Sequence, residues 1–285
     1  GQFLDVHEKG TGAVDVNGVG GTLSIDSGAD TSILSGRGIF GAGDVNNTGA
    51  VTLSASAGTA DANEGNAYAL ISQAHGLYAG GDANNAGDIA VWARGGTAHS
   101  DSGYAIASVL ASGLYANGDV NNVGDIALTA RGGTSQSLKH NASGGVDNTY
   151  GLYASGGVNN TGTIVVNVTA GVADTNNGGS AFAYTLESGG IRAGGDVNNV
   201  GAITVSAAGG TAHAESGDAQ ARVGNISGIY AMGSVRNVGS IGVTATGGVA
   251  DANDEAEAYG EAIGLYAKAD ADNMGDMHIV AMGGI

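Results

Sequence analysis

One block recurs from end to end of this chain, and that recurrence limits its possible folds more than any other property. The clearest copy, Gly113 to Gly133, reads Gly-Leu-Tyr-Ala-Asn-Gly-Asp-Val-Asn-Asn-Val-Gly-Asp-Ile-Ala-Leu-Thr-Ala-Arg-Gly-Gly. Copies begin at Gly1, Gly38, Gly76, Gly113, Gly151, Gly190, Gly228 and Gly264, a repeat of 36 to 39 residues. An Asn stands nine residues after each opening Gly from the second copy on: Asn47, Asn85, Asn122, Asn160, Asn199, Asn237 and Asn273. A Gly follows two positions later in all eight copies, from Gly12 through Gly124 to Gly275, and a closing Gly runs from Gly58 through Gly133 to Gly284. A fixed period of this size means a solenoid, a propeller or an array. Residues 1–285 therefore read as a single repeat domain, its last copy partial.

Within the block the pattern has period two. Leu114, Ala116, Gly118, Val120, Asn122, Gly124, Ile126, Leu128 and Ala130 alternate with a mostly polar set, the mark of strands with one buried face. The copies agree position by position: Ile126 matches Val51, Ile89, Ile164, Ile203 and Ile241. Matching apolar rows predict parallel, in-register stacking. The fold class is all-β, a parallel β-solenoid (β-helix) of about eight coils, one coil per repeat, about 40 Å long at a strand spacing of about 4.8 Å. Each coil is expected to have three sides: an Ala-rich strand such as Tyr104–Ala111, the segment from Gly-Leu-Tyr-Ala to Asn-Asn, and the Gly-x-Ile-x-Val-x-Ala segment. Acidic stretches such as Asp61-Ala-Asn-Glu-Gly and Asp101-Ser-Gly read as loops. Two shorter coils per repeat is the alternative, disfavoured because the two halves of the repeat share little pattern.

Asn122 and its equivalents are the polar members of an otherwise apolar inward row. Stacked at a bend, their amides can bond to those above and below, an asparagine ladder of the kind that stabilises in-register strands. The competing reading is a solvent-facing Asn-Asn-x-Gly turn; the parity of the flanking residues favours the ladder.

Composition narrows the function classes. Formal net charge is −18, with nine basic residues scattered along the chain, which disfavours nucleic acid and anionic lipid as partners. Proline and cysteine are both absent, so ladders run unbroken and neither disulfides nor thiolate metal sites can form. No segment approaches the roughly 18 apolar residues of a membrane span, so no membrane insertion is expected. Gly1 is not an initiator methionine, and the chain is expected to be a processed product or an internal piece.

Phe3, Phe40, Tyr78, Tyr115, Tyr153, Tyr230 and Tyr266 share one outward position, broken by Arg192. They read either as a self-stacking row or as a contact surface for sugar rings or a neighbouring rod. His7, His75, His99, His140, His213 and His278 read as surface scatter, since only His99 and His213 share a repeat position, too far apart for one metal. Asp44, Asp82, Asp119 and Asp196 also share a position, and Asp251 to Glu257 is dense in oxygen ligands. No cofactor is expected, weak calcium binding being the open alternative, because no EF-hand or calcium-binding nonapeptide is present. Paired carboxylates at defined separation and a nucleophile–base arrangement are both missing, so the chain is not expected to be an enzyme. Thr22, Thr59, Thr97, Thr134 and Thr211 form a row interrupted by Val172 and Val249, too irregular for an ice-binding face.

Asn121-Asn122-Val123-Gly124-Asp125-Ile126 is similar to the Asn-x-Gly-x-Ile turn of the β-helical passenger repeats of bacterial surface proteins, the autotransporters and filamentous-haemagglutinin-like adhesins. The resemblance spans nearly the whole chain. It implies a secreted, right-handed β-solenoid at the cell surface, adhesive or structural, although no secretion domain or membrane barrel is recognisable. The expected function is accordingly a non-catalytic extracellular or cell-surface structural or adhesive solenoid, with a carbohydrate-binding or polysaccharide-cleaving β-helix as alternative. Partners are expected to be further copies, other surface proteins or glycans. Met274, Met277 and Met282 fall in the final half-coil; soft side chains suit packing against another coil, and end-to-end assembly into a filament is expected, against the alternative of an arbitrary cut.

Overall fold

The structure, a computed structural model, describes the backbone of residues 3–5, 14–19, 22–31 and 35–285, with side chains from residue 29 on, excepting 32–35. Gly1, Gln2, His7, Gly10 and Gly12 lie outside the described residues. Among the described residues every strand pairing is parallel, and beyond the first turn equivalent positions of successive repeats meet: Ile126 pairs with Ile89 on one side and Ile164 on the other. The chain is a parallel β-solenoid of about seven turns, one turn per repeat. Among the described residues the strands form three sheets of 17, 8 and 7 members.

The turn through Asn122 is typical. Its strands are Thr97–Ser100, Ala105–Ala116, Val120–Asn122 and Ile126–Arg131. This division differs from the expected one in two ways. First, the Ala-rich segment runs on into Gly-Leu-Tyr-Ala as one long strand, and Asn-Asn forms a short strand of its own after the bend at Asn117-Gly118. Second, the acidic stretches are only partly loop: residues 61–65 lie within the strand Thr59–Tyr68, whereas residues 101–103 form a bend as expected. Thr97–Ser100 before that bend is a strand that pairs with Thr59–Ala62 and Thr134–Ser137. Polar outward residues disguise that strand, since its inward side is no more than Ala98 and Ser100. Along the inward row the parity is as expected: Leu114, Ala116, Val120, Asn122, Ile126, Leu128 and Ala130 are all buried.

The interior is also not one core. Ile, Val and Leu of the Ile126–Arg131 row pack against the Leu114 row, and in the earlier turns Ala60, Ala98, Ala105 and Ala107 join that core. From Ala142 on, the alanines of that side, among them Ala173, Ala181, Ala183, Ala212, Ala219 and Ala221, form a separate cluster. The closing glycines narrow each turn to a waist between its Ile/Val side and its Ala side. Gly133 N–H donates to the carbonyl of Ala107 at 3.0 Å, so backbone crosses backbone within one turn. A Cβ on Gly133 would run into the Ala107 methyl and the carbonyl of Gly96, so only glycine allows this approach. The opening glycines serve the larger lobe: a Cβ at Gly113 would occupy the space of the Ile126 side chain.

The first turn departs from the repeat. Phe3 pairs with Ser35, not with Phe40 as the spacing implies, so Phe3 is not placed in the aromatic row. Val14–Val19 returns to the common register, pairing with Val51–Ser56.

Candidate functional site

The asparagine ladder is continuous. Each side-chain amide donates to the Oδ1 of the next turn: Asn47 to Asn85 at 2.7 Å, Asn85 to Asn122 at 2.7 Å, Asn122 to Asn160 at 2.8 Å. The file continues through Asn199 and Asn237 to Asn273 at 2.8, 2.7 and 2.6 Å. Each amide's second hydrogen goes to the carbonyl two residues on, as in Asn122 to Gly124 at 2.7 Å. From Asn47 to Asn237 these side chains are buried, and both donors of each are satisfied. A second, exposed file lies on the other face of the same sheet: Asn84 donates to Asn46 at 2.9 Å, and Asn121 to Asn84 and Asn159 to Asn121, both at 3.0 Å. The buried amides donate toward the C-terminal turns and the exposed ones toward the N-terminal turns.

The aspartate row is tied in the same way. The Asp44 carboxylate accepts the backbone N–H of Asp82 at 2.9 Å, Asp82 that of Asp119 at 2.8 Å, and Asp119 that of Gly157 at 2.7 Å. Asp196 accepts from Ser234 at 2.7 Å. In the acidic Asp251–Glu257 segment, Asp254 accepts from Gly217 N–H at 3.0 Å and Glu257 pairs with Arg222 at 2.6 Å. Among the described residues no three His, Asp or Glu side chains converge as metal ligands would. No helix of the described chain is long and apolar enough to cross a membrane.

The aromatic row is stacked ring on ring. Phe40–Tyr78, Tyr78–Tyr115 and Tyr115–Tyr153 have centroids 5.4, 5.2 and 4.6 Å apart with interplanar angles of 19°, 4° and 5°. Tyr230–Tyr266 stacks at 4.6 Å and 12°. Inner rings thus cover one another's faces. Three residues before each member lies a second row that sequence inspection passed over: Arg37, His75, Ser112, Tyr150, Gly189, Ser227 and Ile263, joined pairwise by register. The Arg37 guanidinium sits 4.6 Å from the Phe40 ring centre and 4.4 Å from that of Tyr78. His75, expected at the surface, is instead buried, 5.0 Å from the Tyr115 ring, with its Nδ1 unpartnered. Burial, helped by the Arg37 charge, holds its pKa down at about 3. A constant offset from an aromatic row was the signal available for finding these residues.

His99, His140, His213 and His278 are partly exposed or at the surface: His99 lies 3.1 Å from Asp101, His213 lies 3.3 Å from Asp251, and His140 packs on Tyr104. Thr59, Thr97, Thr134 and Thr211 of the threonine row line a groove of about 1080 Å³ that follows the glycine pairs along the solenoid. Of the three methionines, Met277 continues the inward Ile241 row, whereas Met282 pairs with Thr246 and Met274 follows Val238, both on outward rows. All three are about half exposed, at 49, 46 and 54 % in that order.

The stack breaks at Arg192. Its Nη1 donates to the Tyr150 hydroxyl at 2.5 Å and lies 3.1 Å from Glu187 Oε2. The guanidinium is 5.4 Å from the centres of both the Tyr150 and Tyr230 rings. Burial pushes the Tyr150 phenol up to about 12, against the opposing pull of the Arg192 charge. No protein-family model, curated protein or solved structure matches this chain.

Proposed function

We propose that the chain is a non-catalytic, secreted or cell-surface β-solenoid that serves as a structural or adhesive rod, the role filled by the passenger repeats of bacterial surface proteins. The observation carrying this reading is the uniformity of the interior. One file of amides runs from Asn47 to Asn273 without a break, and the outward aspartates are spent on backbone amides of the next turn. A catalytic centre needs groups converging at defined separation; here the recurring polar groups are spread along the axis and hold neighbouring turns together. Self-association fits the same interior, because a second solenoid can extend the sheets and keep the ladder's donor direction only by stacking head to tail.

Surface labelling of intact producing cells, with protease shaving as a control, tests the location, and adhesion of coated beads to host or bacterial surfaces tests the role. Retention in the cytoplasm, or release of reducing ends from a polysaccharide by the purified chain, would overturn the proposal. A carbohydrate-binding β-helix is the second reading, favoured by the polar pocket at the break in the tyrosine stack.

A further inference from the structure

In a repeat protein, the turn that departs from the pattern in several rows at once is the place to look for something other than stacking. Here that turn carries Arg192. A tyrosine at 192 would complete the aromatic row, since its neighbours in register are Tyr153 and Tyr230. In the adjoining row, Gly189 follows Tyr150, and the absence of a side chain there lets Ser227 of the next turn approach closely. At the corner before it, Asn148, Glu187 and Asn225 occupy one position in three successive turns and have φ of 44°, 44° and 55°. Asparagine tolerates the left-handed region; glutamate does so rarely. An outlier of this kind supports a hypothesis of function, and Glu187 places its carboxylate beside Arg192.

These departures together form a pocket of about 190 Å³ between Tyr150 and Tyr230, rimmed by Glu187, Arg192, Asn225 and Ser227. It is too small for an oligosaccharide or a peptide segment. Its polar groups are planar or short and include donors and acceptors: a guanidinium, a carboxylate with one oxygen committed to Arg192, an amide and a hydroxyl. The Tyr150 oxygen accepts from Arg192, which leaves the phenol's own proton to donate. Ring walls with a few convergent polar groups are the ordinary composition of a small-molecule site. The charge balance disfavours an anion, because the single cation of the pocket, Arg192, is already paired with the Glu187 carboxylate at 3.1 Å.

We propose that the break in the tyrosine stack at Arg192 is a binding subsite for one neutral sugar ring, whose adjacent hydroxyls pair with Arg192 and Glu187 while its C–H face lies against tyrosine. The proposal goes beyond the rod-like role and does not depend on it. A surface rod lacking this site would still be a scaffold, and a chain retained inside the cell would still bind.

Saturation-transfer NMR and calorimetric titration with D-galactose, D-glucose and D-mannose, and with N-acetylneuraminic acid as the anionic counterpart, test it on the intact chain. At least one neutral hexose should bind saturably, and Arg192→Tyr, which closes the gap with a stacked ring, should weaken it about tenfold or more, equivalent to about 1.4 kcal/mol. Glu187→Gly should do the same while relieving the left-handed backbone, and it carries the test alone if Arg192→Tyr fails to fold. Thermal midpoints of both variants should equal or exceed that of the parent. Absence of saturable binding to all three hexoses, binding of the acidic sugar alone, or unchanged affinity in Glu187→Gly overturns the proposal.

Discussion

The buried amide of Asn122 donates to Asn160 Oδ1, one turn on, at 2.8 Å. The same oxygen type on Asn122 accepts from Asn85, so each member of the file is donor and acceptor at once. Replacing Asn122 by Ala leaves an acceptor on Asn160 and a donor on Asn85 unpaired in the interior, and should cost about 1–3 kcal/mol. Asn121, its neighbour on the exposed file, makes bonds of 3.0 Å in water and should cost well under half as much when replaced by Ala. Urea melts of the two variants check this; equal losses would refute the distinction between the files.

The tyrosine stack should contribute to stability through its ring pairs. Tyr115 stacks on Tyr78 at 5.2 Å and on Tyr153 at 4.6 Å. Tyr115→Leu keeps apolar area but removes both ring pairs, each worth about 0.5–1.5 kcal/mol beyond burial. A loss near 1–3 kcal/mol is therefore expected. The end ring Tyr266, with one stacked neighbour in the structure, should lose about half as much, read by the same melts.

Gly133→Ala tests the waist. The added methyl would meet Ala107 and the Gly96 carbonyl, and the 3.0 Å bond from Gly133 N–H to Ala107 could not keep its length. Overpacking of this kind costs about 1–3 kcal/mol. Gly43, where nothing lies within reach of a Cβ, is the control and should tolerate Ala with little change. Hydrogen exchange at Gly133 and Gly96 should quicken in the first variant and not in the second.

These sites differ in how far the sequence announced them. The ladder and the inward rows were legible because burial in a strand follows strict alternation, and Asn122 lies on the parity of Val120 and Ile126. The waist was not, because the approach of Gly133 to Ala107 joins residues of one turn far apart in sequence, and paired glycines read equally well as a turn. The strand Thr97–Ser100 was hidden by its length and polarity, with Ala98 and Ser100 its whole inward face. Asn148, Glu187 and Asn225 each stand three residues before an opening glycine, but a column of two asparagines and a glutamate carries no sign of the left-handed backbone that sets it apart. The aspartate row was visible as a column, but the partner of its carboxylates was not, because the backbone N–H that each accepts belongs to the next turn.

At alkaline pH the phenol of Tyr150 should titrate at about 12, late against the ordinary 10.0. The unfolded chain gives up this proton first, so between those values the folded state binds more protons and stability falls as pH rises. Tyr150→Phe, which cannot ionise, should flatten that part of the profile in ultraviolet-monitored titrations and in urea melts taken along the pH series.

In acid the sign at His75 is opposite in origin and just as definite. Its ring is buried against Tyr115 and beside Arg37, with a pKa of about 3 in place of the ordinary 6.5. Below 6.5 the unfolded chain takes up a proton that the folded chain refuses, so the contribution is whole above that pH and is lost progressively as pH falls toward 3. Within the window each unit of pH costs up to about 1.4 kcal/mol from this one group. The carboxylates protonate over the lower part of the same range, so the parent's profile alone does not isolate it. His75→Gln keeps a polar side chain that cannot titrate. Its stability at neutral pH should be lower or equal, yet its loss between pH 6.5 and 5, above the ordinary carboxylate range, should be smaller than the parent's. Parallel profiles for the two proteins across that interval would mean that His75 takes up its proton without unfolding, and that the turn opens locally at the Arg37 corner to admit it.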